Sequence, residues 1–229
     1  MDYVELAERF IVARFPTASI AVIGGSTSRG ERTRTSDIDL LLIGEHLFPD
    51  GRTGAALSDE HEGEILEVFA YTPAGFEDWA QRSIDQHRPV IVHMLVEGLV
   101  VRGSQELDAL RAAWARRLDE GPAVDEHELS FRRYVITDVL DDLRDASDAL
   151  ERQVLAATLF ERTAELMLLN AGKWVGTGKY LPRRLRALPA ERMDALAGPY
   201  LRGDVDALAD VVEKELVAAG GRVQAGFVR

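Results

Sequence analysis

The chain has 229 residues, of which 46% are hydrophobic and 29% are charged, and its formal net charge is -12. This length allows one large domain or two small ones, each with a buried core. The negative charge argues against a long nucleic acid as partner, because proteins that bind nucleic acids need a basic face to neutralise phosphates. The absence of cysteine excludes disulfides, thiolate zinc sites and a cysteine nucleophile.

The sequence predicts neither a membrane span nor a secretory leader. No window approaches the roughly 18 consecutive apolar residues of a spanning helix. The segment MDYVELAERF mixes acids with apolar residues, whereas a leader places a basic region before an apolar one. We therefore expect a cytoplasmic protein without a membrane partner.

The first half of the chain alternates helical and strand patterns. Residues 2–15 carry apolar side chains at helical spacing and end at Pro16, and SIAVIGG is typical of a short buried strand. DIDLLLI predicts a second strand and EILEVFAY a third. Between them, the stretch from Gly44 to Gly63 predicts a long exposed connection.

The elements that follow are mainly helical. A helix is predicted from Pro73 to about Ile84 and another over PVIVHMLVE, and LVV predicts an edge strand before Gly103. Ser104 is a candidate cap for the helix QELDALRAAWARRLDE, which ends at Gly121-Pro122.

The residues after the Gly-Pro pair all favour helix, apart from the glycine-rich loop GKWVGTGKY. Apolar residues recur at three- and four-residue spacing in three segments, 125–147, 149–171 and 204–218. We therefore predict two domains. Residues 1–121 form an α/β (α+β) domain with a small mixed sheet and flanking helices, and residues 122–229 form an all-α helical bundle.

Two acids, Asp37 and Asp39, stand at the start of the second predicted strand. Side chains alternate along a strand, so both project from one face. Carboxylates entering a strand that is apolar on both faces are costly to desolvate, and two close carboxylates raise the pKa of one of them unless a cation keeps both ionised. Oxygen ligands without cysteine or clustered histidine favour a hard cation, with Mg²⁺ the natural choice beside phosphates.

Glu67 is a third acid in an apolar strand, on the face of Phe69 and Tyr71. If the third strand pairs beside the second, Glu67 completes a three-carboxylate site of the kind that holds one or two metal ions. Glu64, at the more accessible strand start, is the alternative third ligand. Each feature alone has an ordinary structural interpretation. Asp37 and Asp39 could be a solvated strand end, Glu67 an exposed acid of an edge strand, and Gly24-Gly25-Ser26 a turn.

The order of these features resembles the DNA polymerase β-type nucleotidyltransferase superfamily. The shared pattern is an apolar strand, Gly25-Ser26, an eleven-residue step, Asp37-Ile38-Asp39-Leu40 and a later acid in an apolar strand. The resemblance covers roughly residues 20–71, and RPVIVHMLVEGLVVRG resembles the end of that domain in bacterial members. It implies that Asp37, Asp39 and Glu67 hold the metal ions. In many relatives the third acid is aspartate, whereas this chain has glutamate.

The resemblance also implies that Gly25 and Ser26 contact the triphosphate of a nucleotide. Glycine lets the backbone approach phosphate closely, Ser26 has a hydroxyl to donate, and the amides of a helix start favour anions. The loop before Asp37 contains three arginines, at least one of which is a candidate phosphate clamp unless all three are solvated: Arg29, Arg32 and Arg34. We select Arg34 and Ser36 from this loop as nucleotide contacts.

The second half contains two further candidates. A stripe of acids at helical spacing is either a solvated face or a surface for a polycationic acceptor, and its members are Asp138, Asp141, Asp142 and Asp145. The helical layout resembles that of the C-terminal domain of aminoglycoside nucleotidyltransferases. The resemblance implies that residues 1–121 are the nucleotidyltransferase domain and that residues 122–229 are a substrate-binding domain. In the loop GKWVGTGKYLPRR, Lys179 is the selected phosphate contact, together with Lys173, Arg183 and Arg184 as alternatives, while Trp174 and Tyr180 either stack on a ligand or anchor the loop.

The predicted function is Mg²⁺-dependent transfer of a nucleoside monophosphate, from ATP or another nucleoside triphosphate, to a hydroxyl of a small molecule. Within that class, an aminoglycoside-like cationic acceptor is favoured. Two alternatives stay open: an antitoxin-like enzyme that modifies a protein partner, and an inactive nucleotide-binding regulator. The protein is expected to be a monomer or a homodimer.

Overall fold

A computed structural model describes residues 2–103 and 105–228. The chain divides into two units, Met1–Glu120 and Gly121–Arg229. The predicted cap Ser104 lies outside the described residues. The assignment of the second unit to substrate binding stays a prediction.

The N-terminal unit combines five strands with five helices among its described residues. In chain order the elements are α1 (Tyr3–Arg14), β1 (Ile20–Ile23), α2 (Gly25–Ser28), β2 (Ile38–Ile43), β3 (Gly54–His61), β4 (Glu64–Tyr71), α3 (Pro73–Asp85), α4 (Val90–Glu97), β5 (Leu99–Arg102) and α5 (Gln105–Asp119). The strands form one sheet in the order β3-β4-β2-β1-β5. Only β2 and β4 are parallel, so the sheet is mixed, as predicted.

Helix α1 covers one face of the sheet. Asp2 caps its N-terminus: the Oδ1 of Asp2 accepts hydrogen bonds from the backbone N–H groups of Val4 at 2.9 Å and Glu5 at 3.2 Å. Such caps satisfy amides that have no partner within the helix. The buried side of α1, which includes Phe10, packs in one core with Leu40 and the other inward residues of β2 and β4.

The predicted exposed connection from Gly44 to Gly63 is wrong in its second half. Residues Gly54–His61 form β3, antiparallel to β4 at the edge of the sheet. The turn between them uses Glu62 at φ 52° and Gly63 at φ 81°, the positive values of a tight hairpin. An edge strand with one wet face lacks a continuous apolar run, and this is why its sequence resembles a loop.

The C-terminal unit is helical throughout its regular structure in the described chain. Its elements are α6 (Glu126–Asp145), α7 (Ala149–Asn170), α8 (Tyr180–Leu185), α9 (Ala190–Arg202) and α10 (Val205–Ala218). Leu140, Leu168 and Leu216 are fully buried in a core that these helices share. The predicted fold class, a mixed-sheet domain followed by a helical region, is confirmed. Within the described ranges, no helix is long and apolar enough to cross a membrane.

Candidate active site

The register of β2 and β4 places two acids side by side. The strands run parallel, and Asp39 pairs with Glu67. Paired residues of neighbouring strands project from the same face, and the strands themselves lie about 4.8 Å apart. The carboxylates of Asp39 and Glu67 are therefore neighbours on one face of the sheet.

This acidic end of the sheet face is open to solvent, whereas the other end is covered. Along β4, Ile65 is 47% exposed and Tyr71 only 5%. Asp39 and Glu67 are half-buried. Helix α3 packs on β4 and helix α4 on β2. The open end therefore leaves the acid pair accessible to a ligand.

The glycine turn after β1 lies directly against Asp39, one member of the acid pair. Gly25 has a φ of +64°, and a Cβ on it would lie 1.6 Å from Oδ2 of Asp39. The N–H of Gly24 donates to the carbonyl oxygen of Asp39 at 2.8 Å. Only glycine leaves room for the aspartate and adopts this backbone conformation without strain. The structure thus brings Gly25, Asp39 and Glu67 together.

Asp37 and Ser26 lie on the segments that border this pair. Asp37 is half-buried one residue before β2, and its carbonyl oxygen accepts from Oγ1 of Thr27 at 3.4 Å. Ser26 is half-buried in the turn, where its carbonyl oxygen accepts from the N–H of Glu31 at 2.9 Å. Because Asp37 precedes the strand, strand alternation does not fix its side chain, and its place on the acidic face stays a prediction.

The donor chemistry of the pair fits Mg²⁺, which is commonly held by one or two carboxylates together with substrate phosphates. In residues 2–103 and 105–228, no three histidine, aspartate or glutamate side chains form a cluster suited to a metal. The structure therefore supplies a carboxylate pair with room beside it, and the three-carboxylate site stays a prediction.

Glu64, the alternative third ligand, is bound by Arg32. Nη2 of Arg32 donates to the Glu64 carboxylate, and the two side chains are 14% and 23% exposed. Burial is the largest single influence and lowers the pKa of Arg32, but the hydrogen bonds and charges of Glu64 and Tyr3 together outweigh it, so the pKa is raised. Since Glu64 already has a cationic partner, the arrangement favours Glu67 as the third ligand.

The other candidate nucleotide contacts are loop residues, two in the N-terminal unit and one in the C-terminal unit. Arg34 is exposed in the loop before β2. The Oγ of Ser36 accepts from the N–H of Thr33 at 2.9 Å, so this hydroxyl closes the loop. Lys179 is exposed in the C-terminal unit, with its Nζ 5.5 Å from the ring centroid of Tyr180. Contact of these residues with a nucleotide stays a prediction.

The C-terminal unit uses part of its predicted binding surface internally. Asp141 accepts from Arg222 and, at 2.8 Å, from Nε2 of Gln224, so it holds the segment after α10. Asp138, Asp142 and Asp145 are exposed on α6. Trp174, which is 7% exposed, is buried in its loop and serves as an anchor.

One feature of this unit was missed by the sequence reasoning. A cavity of about 550 Å³ lies along α6 and is lined by His127, Glu128, Phe131, Tyr134, Val135 and Asp138. The ring of Phe227 stacks on Phe131 and Tyr134 with centroids 6.3 and 5.5 Å away. In the sequence, this surface is indicated by aromatic side chains at four- and three-residue spacing on one helix face, namely His127, Phe131 and Tyr134.

A mixed sheet that sets a glycine turn against paired acids is the arrangement expected of a nucleotide-transferring domain. Residues 5–93 match the model of a family described as a nucleotidyltransferase domain. The matched segment contains Gly25, Asp37, Asp39 and Glu67. This match supports the predicted nucleotidyltransferase superfamily for the N-terminal unit.

The fold is also similar to that of a solved structure, a nucleotidyltransferase-like protein from Exiguobacterium sibiricum 255-15. The similarity covers 95% of this chain and 77% of that chain, with a TM-score of 0.50 and 12% sequence identity. At this identity the likeness concerns the fold alone. No curated protein matches the chain. Assignment to the aminoglycoside-modifying group stays a prediction.

Proposed function

We propose that this protein transfers a nucleoside monophosphate from a nucleoside triphosphate, with ATP favoured, to a hydroxyl of a small molecule. The observation that carries the proposal is the pairing of Asp39 with Glu67 beside the turn at Gly25, within the segment that matches the nucleotidyltransferase family. In the reaction, the acceptor oxygen forms a bond to the α-phosphorus. The bond from this phosphorus to the oxygen bridging to the β-phosphate breaks, and pyrophosphate leaves.

Asp37, Asp39 and Glu67 are the residues that would hold one or two Mg²⁺ ions. When bound, such ions neutralise phosphate charge and lower the pKa of the acceptor hydroxyl. The backbone at Gly25 and the hydroxyl of Ser26 would orient the triphosphate, because both lie in the turn that touches Asp39. Glu67 is the candidate acceptor for the hydroxyl proton. Positioning and electrostatics then supply most of the rate, as is general for this chemistry.

For the acceptor we propose a cationic, aminoglycoside-like molecule. The support is electrostatic: the net charge is -12, and three acids of the α6 stripe are exposed, namely Asp138, Asp142 and Asp145. A field of one sign raises the local concentration of an oppositely charged substrate. This part of the proposal is finer than the assignment to nucleotidyl transfer, and it can fail separately.

The test is replacement of Asp39 by asparagine. Asn keeps the shape of the side chain but removes its charge, so we expect pyrophosphate release from MgATP with a panel of aminoglycosides to fall by about 10²-fold or more. Asp50→Asn is the matched control, because Asp50 is an exposed acid of the same unit whose partner is Arg52. Circular dichroism checks that both variants fold.

The outcomes separate the possibilities. Equal activity of the wild type and Asp39→Asn would remove the assigned site. Pyrophosphate release without any aminoglycoside dependence would direct the search to another small molecule or to a protein acceptor. Nucleotide binding without turnover under any condition would indicate an inactive regulator.

A further inference from the structure

Arg32 joins the two acid-bearing strands at the end where the acids lie. Its Nη2 donates to the carbonyl oxygen of Ser36 at 2.7 Å and to the carboxylate of Glu64. Ser36 directly precedes Asp37, and Glu64 is the first residue of β4, ahead of Glu67. One guanidinium therefore connects the approach to β2 with the start of β4.

The guanidinium of Arg32 is itself held in place. Its Cζ lies 4.6 Å from the ring centroid of Tyr3, at the beginning of α1, and its side chain is 14% exposed. The two N–H bonds of Nη2 are fixed in the guanidinium plane, so this one nitrogen serves both acceptors without reorienting. Leaving a charge of this burial without a partner costs free energy, so the contact with Glu64 is favoured in the folded protein.

We propose that Arg32 is a positioning residue: it sets the spacing between the strand ends that carry Asp39 and Glu67, and Glu64 serves as its anchor and not as a metal ligand. The inference rests on the proposed function, because this spacing affects chemistry only if ions bind there. Residues that support metal ligands commonly change metal affinity by about 10–100-fold when they are removed. Arg32 thus has a role distinct from the phosphate clamp considered for the arginines of its loop.

The first experiment compares Arg32→Met with the wild-type full-length chain in two measurements. Methionine keeps an unbranched apolar side chain but removes every donor. We expect the affinity for Mn²⁺, measured from the electron paramagnetic resonance signal of the free ion with and without ATP, to fall about tenfold. We also expect faster hydrogen exchange at Ile38 and Leu66, which lie near the contacts of Arg32. Exchange at Ile43 and Tyr71, at the far end of the same strand pair, should be unchanged.

Arg102→Met is the matched control. Arg102 is 20% exposed and, like Arg32, it binds one carboxylate, that of Glu8, together with the backbone, through the carbonyl oxygens of Pro16 at 3.4 Å and Ala18 at 3.1 Å. It lies on β5, away from the acid pair. This variant should lose stability and keep the wild-type Mn²⁺ affinity. An equal loss of Mn²⁺ affinity in both variants would mean that Arg32 contributes only general stability, and the proposal would be wrong.

A double-mutant cycle with Glu64→Gln tests whether Glu64 acts through Arg32 or as a ligand. If it acts through Arg32, adding Glu64→Gln to Arg32→Met causes no further loss of Mn²⁺ affinity. A further loss would identify Glu64 as a ligand and overturn the proposal.

The experiments distinguish failure of the positioning role of Arg32 from failure of the proposed function. Unchanged hydrogen exchange at Ile38 and Leu66 in Arg32→Met would show that Arg32 does not hold the two strand ends together. Absence of Mn²⁺ binding by the wild type, with ATP present, would remove the proposed metal-dependent function and the positioning role with it.

Discussion

At the scale of single residues, the site depends on one close approach between backbone and side chain. Gly25 lies against Oδ2 of Asp39 and has a positive φ, so two separate constraints act on the same position. The first concerns the space that the carboxylate occupies. The second concerns backbone conformation, since a side chain in the left-handed region costs about 1–2 kcal/mol.

These two constraints can be separated with two glycines of the same turn. Gly30 also has a positive φ, +67°, but nothing lies within 4 Å of the position of its Cβ. Gly30→Ala should therefore cost only the conformational strain, about 1–2 kcal/mol in urea unfolding. Gly25→Ala should cost more and should displace Asp39, with a loss of pyrophosphate release of about 10²-fold. Equal effects of the two variants on activity would show that contact with Asp39 is unimportant.

At the scale of elements, half-buried arginines connect segments that are distant in sequence. Arg32 connects the loop before β2 with β4, and Arg102 connects β5 with α1 through Glu8. Each arginine also donates to the backbone, Arg32 to the carbonyl oxygen of Ser36 and Arg102 to that of Ala18. Such contacts fix the ends of elements whose middle parts are held by the hydrophobic core.

The contact between α1 and β5 predicts a pH dependence of stability. The hydrogen bond from Arg102 lowers the pKa of Glu8 from its ordinary value of 4.5, against the opposing effect of burial. A lowered pKa in the folded state stabilises the protein above the ordinary pKa, and this contribution is lost as the pH falls through the folded-state value. The effect is small, about 0.2–1 kcal/mol, because Glu8 is 41% exposed.

The measurement is urea unfolding of the wild type and of Glu8→Gln between pH 7 and pH 3. The wild type should be the more stable at pH 7, and the difference should shrink below pH 4.5. Glu77→Gln, at an exposed position of α3, serves as control and should track the wild type. A difference that stays constant over the whole range would contradict the assigned role of Arg102.

At the scale of the whole molecule, the two units have separate hydrophobic cores. Leu40 is fully buried in the core beneath the sheet, and Leu168 is fully buried among the helices of the C-terminal unit. Replacing a buried leucine by alanine costs about 2–5 kcal/mol, through lost burial and the cavity left behind. This loss of folding free energy should destabilise the unit whose core contains the replaced leucine.

Hydrogen exchange monitored by mass spectrometry can resolve the units. Leu168→Ala should speed exchange throughout α6, α7 and α10 and leave β2 and β4 unaffected, whereas Leu40→Ala should show the reverse. Uniform acceleration in both variants would show that the two units unfold as one cooperative body.

Local patterns in the sequence were sufficient to predict most elements and to single out the candidate acids. The periodicity of α1 and α7 and the apolar run of β2 depend only on neighbouring residues, which is why they could be predicted. The order Gly25, Asp37, Asp39, Glu67 was likewise readable along the chain, and its resemblance to nucleotidyltransferases is supported by the matched family model.

The contacts between distant segments depended on the tertiary structure. The pairing of Asp39 with Glu67 required the register of β2 and β4, and the choice of Arg32 among three loop arginines required Glu64 beside it. Likewise, β3 exists as a strand because β4 supplies its hydrogen bonds. Local sequence reports the preference of a segment for helix or strand, whereas burial and partnership depend on which remote segments the fold brings near. The sequence by itself therefore determined the type and order of the groups, and the fold decided which of them meet.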